Sequence, residues 1–212
     1  SRSGREMKNT NIDIKSIKEN GKIFVISGPS GVGKSTILNY VREKIPSLVF
    51  SVSATTRPPR PQERDGEHYF FLSEDEFKEK IYNHDFIEWE EVHGNYYGTL
   101  RSFIEKNRSL GKNIVLDIDV FGKSTFDKEF PEAIGVLIVP PSVDILEQRL
   151  KMRCTDSDDV IQRRVRKASK EIDYAQSKGM YEYTIVNKHL EDAQQQLISL
   201  IVSLTNGDLS HE

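Results

Sequence analysis

Gly28-Pro29-Ser30-Gly31-Val32-Gly33-Lys34-Ser35 fills every fixed position of the spacing G-x-x-x-x-G-K-[ST]. That pattern has a direct chemistry. Glycines let successive backbone N–H groups converge on phosphate oxygens at a helix N-terminus. Lys34 carries an ammonium to the terminal phosphates of a nucleoside triphosphate, and the Ser35 hydroxyl suits Mg²⁺, with Thr36 following on the helix. A plain glycine-rich turn is the alternative. It is disfavoured because the apolar run Ile23 to Ile26 precedes the motif and a helical stretch, ending before Pro46, follows it.

Asp117 and Asp119 close a second apolar run, Ile114-Val115-Leu116, the place where ligands collect in open α/β sheets. One of them could hold Mg²⁺, directly or through water, and either could instead cap the following helix. Arg57 and Arg60 are three apart in a proline-rich run. Near polyproline II, with three residues per turn, both guanidiniums can face one phosphate. A solvated linker or a proline-type peptide ligand reads equally well there. Tyr69, Tyr96 and Tyr97 are either core and edge-strand aromatics or phenolic donors to the same phosphate. Glu88, between apolar residues of Phe86-Ile87-Glu88-Trp89, is either solvent-facing or an acceptor for adjacent ligand N–H groups such as guanine offers.

Arg149 and Arg153 lie i and i+4 on one predicted helix, and Arg163 and Arg164 follow after a polar gap. A closing flap could bring these cations over a transferring phosphoryl group, and a self-solvated charged helix is the ordinary reading. His68, His84, His93, His189 and His211 have neither H-x-x-x-H nor H-E-x-x-H spacing and are assigned no metal.

These side chains need a frame, and the chain alternates strand-like and helix-like stretches from Gly21 onward. That favours a parallel sheet flanked by helices. Expected strands are Ile23–Ile26, Leu48–Ser53, His68–Leu72, Phe86–Val92, Ile114–Leu116, Ile134–Val139 and Tyr183–Val186. The run Thr55 to Pro61 is expected as an exposed loop, and Gly94 to Gly98 as a turn. Ser73 with Glu76 predicts a capping box, and Ser142 a helix cap. The closing helix carries an apolar stripe of Leu197, Ile198, Leu200, Ile201 and Leu204, which fits packing on the core or on a second subunit of a homodimer equally well.

The chain has 212 residues, 36% hydrophobic, 30% charged and 9% aromatic, which describes a soluble globular protein and excludes collagen, coiled-coil and disordered classes. Thirty Lys and Arg against thirty-three Asp and Glu give a net charge of −3, so no nucleic-acid partner is expected and anionic ligands must be met locally. No apolar run approaches the roughly 20 residues of a membrane helix. The single cysteine, Cys154, fits a reducing compartment, by default the cytoplasm. Ser1 to Glu6 precede Met7 and read as an expression remnant within an N-terminal extension over 1–20.

Together, Ser27 to Ser35, Ser51 to Arg60, Phe86 to Trp89, Gly94 to Gly98 and Leu116 to Asp119, in that order, resemble guanylate kinase over about Lys22 to Leu204. The resemblance implies a P-loop NTPase-type α/β fold. A core would span 21–52, 98–140 and 171–206, a GMP-binding insertion 53–97, and a helical lid 141–170. It implies transfer of the γ-phosphoryl group of MgATP to GMP or dGMP. By the same resemblance Arg57, Arg60, Tyr69 and Tyr97 would hold the GMP phosphate, while Ser53, Glu88, Thr99 and Asp119 would surround the guanine. Arg149, Arg153 and Arg164 would be lid arginines at the ATP phosphates, and Asn187 would lie near the adenine. Ala54, Thr99 and Cys154 differ from the family's usual residues and remove none of these groups. Two other readings are a non-catalytic phosphopeptide-binding module of the same fold, whose mark would be a degraded ATP site, and a kinase for another phosphorylated acceptor.

Overall fold

The computed structural model describes residues 19–178 and 180–205. The expected remnant, Ser1 to Glu6, lies outside them. Five parallel strands form the main sheet: β1 (Ile23–Ser27), β2 (Val49–Phe50), β7 (Ile114–Asp117), β8 (Ile134–Val139) and β9 (Tyr183–Val186), in the order β2-β7-β1-β8-β9. β1 is entirely buried, as a central parallel strand covered on both faces must be. Its side chains alternate between two cores. Phe24 and Ile26 pack with Ile37, Leu38 and Val41 of α1 (Lys34–Lys44) and with Ala193, Leu197 and Ile201 of α7 (Leu190–Thr205). Ile23 and Val25 pack on the other side with Ile104 of α3 (Arg101–Ser109) and Phe126 of α4 (Val120–Glu129). The apolar stripe of α7 is therefore spent on the core, with Ile198, Leu200 and Leu204 against the same cluster.

A second sheet stands beside the first. It comprises β3 (Ala54–Thr55), β4 (Phe70–Phe71), β5 (Phe86–Val92) and β6 (Asn95–Leu100), ordered β4-β3-β6-β5. α2 (Glu74–Tyr82) begins at the expected box, with the Ser73 hydroxyl accepting from Glu76 N and the Glu76 carboxylate accepting from Ser73 N. Phe77 of α2 stacks on Phe86 at 4.3 Å between ring centroids. The last helical pair, α5 (Val143–Met152) and α6 (Asp158–Lys178), has its own small core of Leu146, Leu150, Ile161, Val165 and Ala168. Ser142 caps α5 through Ile145 N. Among the described residues, no helix is long and apolar enough to cross a membrane.

Four local expectations change. The strand expected over His68–Leu72 is only Phe70–Phe71, because His68 still belongs to a turn, its amide donating to Arg64 O at 3.1 Å. The strand expected over Leu48–Ser53 is only two residues long in the main sheet, because the chain leaves that sheet to enter the second one. Thr55, expected in the exposed loop, is buried in interior strand β3, and its hydroxyl donates to Tyr96 O at 2.9 Å. Prolines begin only at Pro58, so the amides of Ala54 and Thr55 remain free to pair. Gly94 to Gly98 is mostly strand. His93 and Gly94 make the turn at positive φ, and Asn95 to Gly98 belong to β6, where two tyrosines fit a pleated, half-buried surface. Gly98 marks a close approach rather than a turn, since a Cβ there would lie 2.7 Å from the Phe86 ring.

Candidate active site

The phosphate-binding loop grows from the carboxyl end of β1. The Ser27 hydroxyl donates to Ile118 O at 2.6 Å, tying the base of the loop to the chain leaving β7. Gly31 and Gly33 take φ of 85° and 90°, a region L side chains avoid, and Gly33 opens α1. Within this segment Pro29 and Val32 are buried, while Ser30, Ser35 and Thr36 are exposed. Gly28 is pressed against Ile138 O, where a Cβ would come within 2.6 Å. Buried Asn187 supports the loop from below, its amide donating to Val32 O at 2.7 Å.

The two aspartates at the end of β7 and just beyond it diverge. The carboxylate of Asp117 is 2.6 Å from Lys34 Nζ, with 47% of its side chain open to solvent. Asp119 caps α4, accepting from Gly122 N at 2.7 Å, and also lines a cavity of about 160 Å³ with Ser53, Tyr69, Glu88, Glu90 and Tyr97. The cap and ligand-facing readings of Asp119 are thus compatible. On β5 and β6, buried Thr99 donates its hydroxyl to Glu88 Oε1 at 2.7 Å. Burial raises the Glu88 carboxyl above its ordinary value; the Thr99 hydroxyl opposes this and the Asp119 charge adds to it. Glu90 is pushed up to about 7, first by loss of hydration and then by a hydrogen bond with Asp119. With Asp117 at the same cavity, four carboxyl groups therefore crowd one pocket, a favourable setting for a ligand edge carrying several N–H donors.

The proline-rich run is a folded loop. Glu63 accepts both prongs of Arg57, at 2.8 and 2.9 Å, and the backbone amide of Arg60 at 2.8 Å. Arg57 also sits 5.2 Å over the Tyr69 ring, whose centroid is 6.2 Å from that of Tyr97. Arg57, Tyr69 and Tyr97 are brought together, whereas the Arg60 side chain is exposed at the rim. Tyr96 turns away to pack on Phe77 and Trp89.

The helical pair reaches the same loop. Arg149 donates to Asn187 O and Lys188 O at 2.9 and 3.1 Å. Arg153, at the end of α5, shares a cavity of about 300 Å³ with Arg149, Asn187, Gly33 and Thr36. Arg164 donates to Ser30 Oγ and to Asp156 Oδ2, both at 2.8 Å. Arg163 is exposed. Sequence reasoning did not find Glu63, Asp156 or Glu90. Glu63 lies six residues from Arg57 across a proline pair, and no helix or strand periodicity links such positions.

The guanylate kinase family model matches residues 20–204. A guanylate kinase of Fusobacterium nucleatum is 45% identical over 181 residues, covering 85% of this chain and 96% of that protein. One of Thermotoga maritima is 41% identical over 183 residues, covering 86% and 87%. The crystal structure of guanylate kinase from Anaplasma phagocytophilum superposes with a TM-score of 0.68 at 31% identity, covering 89% of this chain and 88% of that one. The parallel sheet, the phosphate-binding loop and these matches over nearly the whole described length agree, and the chain belongs to the guanylate kinase family.

Proposed function

We infer that the protein transfers the γ-phosphoryl group of ATP to GMP and dGMP, giving ADP and the nucleoside diphosphate. One observation carries this reading. The phosphate-binding loop and the carboxylate pocket open at the same carboxyl end of β1 and β7, with the Lys34–Asp117 pair at the loop's edge of that end. A neighbouring cleft of about 520 Å³, bounded by Ser53, Glu63, Tyr69, Thr99 and Asp117, gives the acceptor room beside the donor.

A phosphate oxygen of GMP attacks the γ-phosphorus in line, and the bond from that phosphorus to the β-phosphate oxygen breaks as ADP leaves. GMP's phosphate is already an anionic nucleophile near neutral pH, so no general base is required. The chain's task is positioning, charge neutralisation and exclusion of water. Backbone N–H groups of Gly28 to Lys34 cradle the ATP phosphates, Lys34 neutralises charge developing on the transferred group, and Arg149, Arg153 and Arg164 approach from the helical pair. Asn187 lies beside the adenine. Arg57, Arg60, Tyr69 and Tyr97 take the GMP phosphate. Glu88 and Asp119 accept from the guanine N1–H and N2–H groups, with Ser53 and Thr99 beside them. The oxygen donors beside Lys34 suit Mg²⁺ delivered with ATP, because Mg²⁺ is commonly held by one or two protein groups plus substrate phosphates. The exposed Ser35 hydroxyl and the half-open Asp117, directly or through water, would hold it. Mg²⁺ held there would draw negative charge off the ATP phosphates. The lone cysteine, exposed Cys154, fits a cytoplasmic setting.

ADP release with MgATP against GMP, dGMP, AMP, CMP, UMP and no acceptor tests the reading. Turnover confined to GMP and dGMP is expected. Folded protein that binds ATP yet is silent with GMP would point to another phosphorylated acceptor. Failure to bind ATP would favour the phosphopeptide-binding module.

Glu63 gives a second test. Its carboxyl is held down to about 2, chiefly by the Arg57 guanidinium and then by the Arg60 amide. A depressed acid stabilises the fold above its ordinary value and loses that contribution as pH falls through its folded value. The Arg57 clamp is therefore intact at neutral pH and opens only as pH falls through about 2, while its contribution to stability declines from about pH 4.5 downward. Glu63→Gln removes the charge and one prong's acceptor, so Arg57 loses its fixed aim. The KM for GMP should rise roughly tenfold with a smaller change in kcat. An unchanged KM would show that Arg57 needs no such partner.

A further inference from the structure

Gly122 sits in the first turn of α4, and its backbone supplies no reason for a glycine. Its φ lies outside the left-handed region, and alanine is the better helix former at such a position. Space supplies the reason. A Cβ on Gly122 would lie 2.6 Å from Ile118 Cγ2, 3.1 Å from Glu88 Oε2 and 3.3 Å from Asp119 Oδ1. Two carboxylates from separate parts of the chain thus converge over one missing methyl group. Neither can withdraw freely. Glu88 Oε1 is tied to the hydroxyl of buried Thr99, and Asp119 Oδ1 is tied to the Gly122 amide itself. Ile118 is buried and lines the same cavity.

We propose that Gly122 is a positioning residue for acceptor-base selection: its lack of a side chain lets Glu88 and Asp119 close on the same edge of the bound base. The proposal rests on the reading of Glu88 and Asp119 as the guanine acceptors. A methyl group at 122 pushes Glu88 Oε2 outward, and the Thr99 bond turns that push into a rotation of the carboxylate. The two acceptors then no longer match the guanine edge, while the ATP side, built on β1 and α1, is untouched.

The test is steady-state kinetics with GMP and AMP on five variants and the unaltered protein. Gly122→Ala should raise the KM for GMP roughly tenfold or more and lower the GMP-over-AMP ratio of kcat/KM by a similar factor, with the KM for ATP within about twofold. Thr125→Gly, on the exposed side of α4, weakens the helix without reaching the pocket. It should lower the Tm and leave the KM for GMP alone. If it shifts that KM as Gly122→Ala does, or if Gly122→Ala leaves GMP selectivity intact, the proposal fails. Should Gly122→Ala not fold, Ile118→Ala/Gly122→Ala keeps the question open to measurement, because it removes the Ile118 clash and retains the one with Glu88. Its selectivity should fall below that of Ile118→Ala alone, and equality of the two would overturn the proposal. Glu88→Gln run in parallel separates the layers. If it keeps the preference for GMP, the reading of the pocket falls. If it loses that preference while Gly122→Ala retains it, only the role of Gly122 falls.

Discussion

Lys34→Met is expected to lower kcat about a thousandfold or more while leaving the fold in place. Methionine keeps the length and apolar stem of lysine and removes only the charge, so the change isolates what the ammonium does. The charge spreading over the γ-phosphate oxygens in the transition state then loses its fixed cation. The backbone cradle still binds the ground state, and the KM for ATP should move far less than kcat. Stability should barely change. Lys34 pairs with Asp117 at 2.6 Å, but nearly half of the aspartate side chain meets water, and partly exposed pairs are worth about 0–1 kcal/mol. Coupled ADP release beside thermal unfolding checks both halves. Near-normal kcat would overturn the role given to Lys34, and a large fall in Tm would make the lost activity a matter of folding.

Glu88→Gln is expected to exchange base preference rather than abolish transfer. A carboxylate facing the guanine N1–H and N2–H groups offers only acceptors, whereas a glutamine amide turned to its remaining partners presents N–H to N–H. The same amide can donate to the adenine ring nitrogen and accept from its amino group. Sites that hydrogen-bond a substrate's polar edge discriminate strongly, so the GMP-over-AMP ratio of kcat/KM should fall by about a hundredfold. Stability gives an independent sign. Burial raises the Glu88 carboxyl, so its ionised form costs the fold increasingly as pH rises above the ordinary carboxylate range. The neutral variant should therefore be at least as stable at neutral pH. An unchanged ratio would remove Glu88 from base reading, and a lower Tm would show that its charge helps hold the second sheet to α4.

Much of the frame follows from local pattern. The apolar run Ile23 to Ile26, the glycine spacing through Gly33 and the stop at Pro46 determine a buried strand, a phosphate loop and a helix, because each depends on chain geometry within a few residues. The Ser73 and Ser142 caps were legible for the same reason. The short strands were not. Val49–Phe50 and Ala54–Thr55 divide between two sheets, and a two-residue strand carries no period to read.

The site divides along the same line. Lys34 and the Asp117/Asp119 pair stand out from residue type and position, whereas Arg57 and Glu88 read equally as ordinary residues there and are singled out by the resemblance to guanylate kinase. Which aspartate meets Lys34 and which caps α4 was decided by the direction of the chain leaving β7. Glu63 as the partner of Arg57, Arg164 on Ser30, and the convergence of Glu88 with Asp119 over Gly122 were decided by tertiary structure alone. Such contacts join segments whose separation in sequence bears no relation to their separation in space. The residue types by themselves establish a phosphate chemistry, and the packing of the second sheet against α4 determines the shape of the pocket beside it.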